Sequence, residues 1–117
     1  MKEIMKPIFH PPLDAITLEG ILYALSDPER AAIFAEISFS ECPQNCTVFA
    51  KISDRTIPKS TLSQHFKALR EAGLIRSERQ GVEMHNVSRW EELEQRFPGL
   101  IPSILKAYKA QLQERAA

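Results

Sequence analysis

The stretch from Pro58 to Ile75, P-K-S-T-L-S-Q-H-F-K-A-L-R-E-A-G-L-I, admits few folded arrangements. Leu62, Phe66 and Leu69 recur at i, i+4 and i+7, which is one apolar stripe on a helix, and Ser60, Gln64, Lys67 and Glu71 fall near the opposite face. Pro58 suits a first helical turn and Gly73 suits the stop. Toward the N-terminal end of the outer face, small hydroxyls, an amide and a lysine gather together. Such groups enter a DNA groove without steric or charge conflict. Ser, Thr and Gln bond base edges or phosphates, Lys neutralises a phosphate, and a helix N-terminus favours an anion. The competing reading of the same pattern is a solvated helix face.

The residues that follow favour the first reading. L-I-R-S-E-R-Q-G-V-E-M-H-N-V contains two short, partly alternating runs, Leu74 to Arg79 and Val82 to Val87, on either side of Gln80-Gly81. This predicts a β-hairpin, with Gly81 supplying the positive φ that a tight turn requires. A helix followed at once by a two-stranded ribbon with Arg76 and Arg79 near its tip is the sequence form of a winged helix-turn-helix.

At this point the chain resembles the bacterial ArsR-type winged-helix repressors. The words that carry the resemblance are S-D-P-E-R at 26–30, S-T-L-S-Q-H-F-K-A-L-R-E-A-G-L-I at 60–75 and R-Q-G-V at 79–82. The resemblance covers roughly residues 16–89 in order. The implied fold is mainly α with a small β-hairpin, a winged helix-turn-helix that dimerises through its first and last helices. The implied function is a sequence-specific DNA-binding transcriptional regulator, a homodimeric repressor of an inverted-repeat operator, and not an enzyme.

Size and composition agree with one domain of this kind. A chain of 117 residues has no room for a second core. With 44% hydrophobic and 26% charged residues, the composition is that of a soluble globular protein. No run approaches the ~20 apolar residues of a membrane span. The N-terminus lacks the apolar centre of a signal peptide, so the chain is expected in the cytoplasm, with no membrane partner. The formal net charge is zero, yet it is unevenly spread. Residues 11–50 set Arg30 alone against six acids, whereas residues 51–89 carry eight Lys and Arg against four acids. The basic half coincides with the proposed reading helix and wing, as a phosphate-binding surface requires.

Along the chain, residues 1–13 hold Pro7, Pro11 and Pro12 and read as a flexible arm. Residues 14–117 read as the DNA-binding and dimerisation domain. From Asp14 the pattern turns helical, and Leu18, Ile21, Leu22 and Leu25 form a first stripe. Ser26 with Glu29 has capping-box spacing and Pro28 fits a first turn. Ile33, Phe34 and Ile37 then form the buried face of a second helix ending near Phe39. Between Thr47 and Ser53, Val48, Phe49 and Ile52 suit a short helix, with a longer turn than the family has at 54–58. After the hairpin, Ser88 and Glu91 repeat the capping-box spacing before a short helix with Trp90, Leu93 and Phe97. A last helix is expected from about Pro102, with Ile101, Ile104, Leu105, Tyr108 and Leu112 on one stripe. The first and last stripes exceed what the core needs, and either pack on that core or pair with a second chain.

By match to the family word, the major-groove residues are Ser60, Thr61, Ser63, Gln64 and Lys67, with Lys59 on a phosphate at the helix start. Gln64 is the best base reader, because its amide suits a bidentate pair with adenine. Ser63 lies to the side and suits backbone phosphate. His65 is either a phosphate contact or a half-buried structural histidine, since it projects about 70° from the stripe centre at 100° per residue. Arg79 and Gln80 at the wing tip reach the minor groove or a flanking phosphate, or form a solvated turn. Arg70 and Arg76 read as surface or salt-bridging residues.

Many relatives sense metals or metalloids. The site that uses ligands on the last helix is absent, because no His or Cys follows His85. Cys42 and Cys46 lie near the position of the family's C-x-C thiolate site, but three residues separate them. They are weak candidates for a metalloid, a metal completed by His10, Glu41 or a second subunit, or a small disulfide. No other cofactor is expected. Two further readings stand beside the repressor: a winged helix that binds protein with its DNA face idle, and a thiol oxidoreductase. The oxidoreductase lacks C-x-x-C spacing and a Gly-rich cofactor loop.

Overall fold

The computed structural model describes residues 8–39, 44–45 and 57–116. After an extended entry and a single 3-10 turn at Leu13–Ala15, helix α1 runs over Leu18–Leu25. Its start lies four residues beyond the predicted Asp14. Thr17 is held extended, and its hydroxyl accepts the Gly20 N–H at 3.0 Å, which caps the helix at that point. Helix α2 spans Pro28–Ser38. The expected Ser26–Glu29 capping box does not form. Asp27 is the cap, with Oδ1 accepting from the N–H groups of Glu29 (2.8 Å) and Arg30 (3.3 Å). Ser26 instead turns its hydroxyl back onto the Tyr23 carbonyl and closes α1. A carboxylate also meets the positive end of the α2 dipole, which a serine hydroxyl does not.

Helix α3, Lys59–Glu71, follows Pro58 as the sequence predicts. Leu62, Phe66 and Leu69 are buried and form the inward stripe. Its C-terminus is closed by a pair of nested bonds, Leu74 N–H to Leu69 O at 2.9 Å and Gly73 N–H to Arg70 O at 3.0 Å. That closure requires a left-handed residue at Gly73, where φ is +86°.

Two strands leave this turn directly: β2 at Ile75–Gln80 and β3 at Glu83–Ser88. They pair antiparallel from Ile75↔Ser88 to Gln80↔Glu83, leaving Gly81 and Val82 as the two-residue turn, with φ +68° at Gly81. The predicted ribbon is joined by a third strand the sequence reading did not contain. Residues Gln44–Asn45 form β1, paired antiparallel to β3 through Gln44↔Asn86 and Asn45↔His85, so the sheet order is β1-β3-β2. The helix expected over 47–53, the turn over 54–56 and both cysteines lie outside the described residues.

Helix α4 occupies Trp90–Arg96 and α5 Leu100–Ala116. Ser88 does not cap α4. It is the last residue of β3, opposite Ile75, and its hydroxyl accepts from Ser38 Oγ at 3.2 Å, while Arg89 takes the cap position without a side-chain bond. Helix α5 begins two residues before Pro102, which sits in the first turn, where a missing N–H costs nothing. The core gathers the inward stripes of the five described α-helices: Ile21 and Leu25, Ile33 and Phe34, Phe66 and Leu69, Leu93, and Ile101 and Leu105. Tyr108 of α5 donates its hydroxyl to the Leu25 carbonyl, and Arg96 Nε donates to Ile16 O at 2.6 Å, tying α5 to the end of α1 and α4 to the residues just before its start.

Gly73→Ala tests the junction between α3 and the sheet. An added Cβ would lie 2.5 Å from Cδ1 and Cγ1 of buried Ile16, at a φ that L residues avoid. The expected loss is about 2–4 kcal/mol in urea unfolding. Gly81→Ala has no atom within 4 Å of its added Cβ, so it should lose only about 1–2 kcal/mol for the φ.

Candidate nucleic-acid interface

On α3 the residues assigned from the sequence separate by exposure. Lys59, Ser60, Ser63, Gln64 and Lys67 are exposed, Thr61 is half-buried and His65 is buried. Positions 60, 63, 64 and 67 are spaced i, i+3, i+4 and i+7, so they form one polar stripe along the side opposite the core. Lys67 approaches Glu71 at 4.0 Å with both side chains well exposed, a pairing too weak and too solvated to withhold the ammonium from a phosphate. No acidic residue occupies the first turn of α3, so its N-terminal dipole is uncompensated by local carboxylates.

His65 does not join this stripe. It is only 6% exposed, and its Nε2 meets Glu29 Oε1 of α2 at 3.0 Å. Of the two roles open in the sequence, the geometry gives it the structural one. Its Nδ1 is buried without a hydrogen-bond partner. The ring therefore serves as a cross-brace between α2 and α3, with Nε2–H donating to the carboxylate. Asp27, Glu29 and His65 also bring three potential ligand atoms within 4.8 Å of one another. Asp27 Oδ1, however, is taken by two backbone N–H groups, and Oδ2 lies 3.8 Å from the Arg30 guanidinium, so the charge around it opposes a cation.

The wing stands beside α3 because its base is braced by charge. Arg89 has 1% side-chain exposure and lies between two partners. Nε and Nη2 donate to the Glu92 carboxylate at 2.8 and 2.9 Å, and Nη1 donates to Pro11 O at 2.7 Å. Arg76 of β2 adds a contact to the same carboxylate at 3.2 Å. The Arg89 hydrogen bonds, followed by the charges of Arg89 and Arg76, hold Glu92 down to about 2, against the opposing effect of burial. Arg70 donates to Ser77 Oγ at 3.3 Å, and Ser77 Oγ in turn donates to Asn86 Oδ1 at 2.6 Å. Arg70 and Arg76 are thus the salt-bridging and bracing residues the sequence allowed. At the tip, Arg79 and Gln80 are exposed, and Val82 between the strands is fully exposed. The sequence pattern starts the second strand at Val82 and sets the turn at Gln80-Gly81, but the observed register moves the turn one residue on, to Gly81 and Val82.

The arm reaches this brace as well. His10 Nε2 accepts the Ser77 N–H at 2.9 Å, so residues 8–12 lie along β2. Burial, and then the nearby guanidiniums of Arg76, Arg89 and Arg70, lower the His10 pKa and favour the neutral ring that can accept this bond. Residues 1–7 lie outside the described part.

Comparison with known proteins agrees with this geometry. Residues 25–78 match the family described as a helix-turn-helix domain. Among solved structures, the chain is similar to an ArsR-like transcriptional regulator from Rhodococcus sp. RHA1, at 23% identity and a TM-score of 0.56, with 85% of each chain covered. A second, an ArsR family transcriptional regulator designated RHA00566, shares 27% identity at a TM-score of 0.54, covering 83% of this chain and 87% of that one. The chain shares the winged helix-turn-helix fold of these two regulators. No curated protein matches it in sequence. Among the described residues, no helix is long and apolar enough to cross a membrane.

In this winged helix-turn-helix protein the brace under the wing has a definite acid dependence. A carboxyl whose folded pKa is depressed stabilises the fold above its unfolded pKa, near 4.3, and that contribution is lost as pH falls toward the folded value of about 2. Glu92→Gln should therefore lower stability at pH 7 by about 1–3 kcal/mol, because Arg89 keeps a buried charge with only a carbonyl to receive it. Urea unfolding at stepped pH should show the gap between wild type and variant closing between pH 4.3 and 2. A gap constant over that window would remove Glu92 from the brace.

Proposed function

We propose that this chain, a DNA-binding transcriptional regulator, is a homodimeric repressor that binds an inverted-repeat operator. In this reading α3 enters the major groove and the wing tip lies on the flanking duplex. The carrying observation is the exposed stripe of Ser60, Ser63, Gln64 and Lys67, with no carboxylate in the first turn of α3 and with Arg79 and Gln80 exposed at the wing tip. Gln64 reads a base edge, Ser60 and Thr61 bond at the groove entrance, Ser63 and Lys59 hold backbone phosphates, and Lys67 neutralises a phosphate. Val82 adds an apolar tip that can lie against a sugar face.

Pairing of two chains is supported by what α1 leaves uncovered. Ile21 and Leu25 are buried, but Leu18 and Leu22 are 41% and 47% exposed. These apolar side chains lie on the first helix, and a second copy would cover them. Two-fold symmetry would set two α3 helices roughly 34 Å apart, one turn of duplex.

Gel shift with the promoter of the protein's own gene tests the reading, and absence of binding to any duplex at low salt would refute it. Two substitutions divide the roles. Gln64→Ala should relax preference at one base pair by roughly 1–3 kcal/mol. Lys67→Ala should weaken all sites about equally and lower the salt slope by about one. The opposite pattern for either residue would exchange their assignments.

A thiol-sensing form of the same repressor has one observation in its favour. The residues between Cys42 and Cys46 include β1, which pairs with the central strand of the wing sheet. A metalloid or a disulfide on that pair would act next to the DNA-contacting ribbon. Cys42→Ser combined with Cys46→Ser should keep DNA affinity and lose release by arsenite or peroxide. A double variant that still responds would place the sensor elsewhere.

A further inference from the structure

A cavity of about 710 Å³ opens between α2 and α5, with the first residue of α4 at one end. Its walls are Ala32 and Ala35 of α2, Trp90, and Leu105 and Tyr108 of α5, and the lining is overwhelmingly apolar. This size and character are those of a small-molecule site rather than of a surface dimple. Two features of its chemistry narrow the occupant. Lys106 and Lys109, one turn apart on α5, stand at the cavity with exposed side chains and make no ion pair among the described residues. Among the described residues the lining has one carboxylate, Glu29, and it is directed to His65 Nε2 at 3.0 Å. Among the described residues the cavity therefore combines an apolar interior with an excess of positive charge at its edge.

We infer that this cavity is an effector site for a small organic anion, an apolar and preferably aromatic body carrying one acidic group. The body lies between the alanines of α2 and the Trp90 and Tyr108 rings, and the acidic group sits between the ammonium groups of Lys106 and Lys109. The alanines matter because they leave the room that larger side chains would fill. The site has a built-in connection to the reading helix, because Glu29 lines the cavity on one side and braces His65 of α3 on the other. An occupant that displaces the Glu29 carboxylate alters the one hydrogen bond that the His65 ring makes among the described residues. The regulatory consequence rests on the repressor reading, but occupancy of the cavity and its effect on His65 do not.

The test uses the full chain without DNA. Trp90 is the single tryptophan, so its emission reports on the cavity directly. The probe is 8-anilino-1-naphthalenesulfonate, compared with N-phenyl-1-naphthylamine, which has the same apolar body and no anionic group. The sulfonate should bind saturably, one per chain, with energy transfer from Trp90, and should bind roughly five- to tenfold more tightly than the amine. Lys106→Ala with Lys109→Ala should remove that preference while leaving amine binding unchanged. Ala32→Phe should abolish binding of both probes, with helical content and unfolding midpoint near wild type. Should Ala32→Phe prove unfolded, Ala35→Leu serves the same purpose.

Nitrogen-15 spectra of the imidazoles should show the His65 ring moving on saturation with the sulfonate while His10 and His85 stay in place. No saturable transfer from Trp90 would mean that the groove is closed by a second copy of the chain or is not a site, and either result overturns the proposal. Equal affinity for the two probes would overturn the anionic specificity, and a motionless His65 would overturn the connection to α3. Failure of DNA binding in a gel shift would leave all these readings unaffected, so the two ideas fail separately.

Discussion

The relation between α3 and the wing is set by six residues, Leu69 to Leu74. The nested bonds from Gly73 and Leu74 back to Arg70 and Leu69 end α3 and turn the chain so that Ile75 enters the sheet at once, with no loop between them. Ile16 packs into the space a side chain at Gly73 would need, and the Arg89 N–H bonds to Leu74 O at 2.9 Å, returning the far end of the hairpin to the same place. Helix, ribbon and α4 thus meet around one glycine. Because the connection has no slack, the polar stripe of α3 and the tip at Arg79 and Gln80 are presented as one rigid surface rather than as two independently moving parts.

Most of this arrangement was legible in the sequence, for a physical reason. Helical stripes such as Leu62, Phe66 and Leu69 are set by local periodicity and by the demand that an apolar face be buried. Gly81 announces its turn through the only backbone conformation that closes a two-residue hairpin. The capping residues were harder. Ser26 and Ser88 have the right spacing to a glutamate, but Asp27 competes successfully for the α2 N-terminus, and Ser88 is already committed to the strand opposite Ile75. Spacing alone does not reveal which of two adjacent candidates faces the orphan N–H groups.

The less legible parts are those made by contacts between distant residues. Arg89 lies between Glu92 and the Pro11 carbonyl, a partnership across 78 positions that leaves no periodic trace. His65 was ambiguous because it sits at the border of the stripe, and only Glu29, 36 residues away, decides its role. Strand β1 has just two residues and no alternation to betray it. In the candidate interface, by contrast, every exposed residue on α3 was assigned correctly as outward-facing, since exposure on a single helix follows from the position of its apolar stripe.

The arm and β1 together carry one more consequence for how the protein behaves as a solute. A ribbon of two strands offers two open borders, each a row of backbone donors and acceptors able to recruit a strand from a neighbouring molecule. Here β1 occupies part of one border, and on the other the neutral ring of His10 takes the N–H of Ser77 while Pro11, which has no N–H of its own, lies alongside. The wing is thereby kept from stacking into intermolecular sheets at the concentrations a regulator meets in a crowded cell, while its tip remains bare.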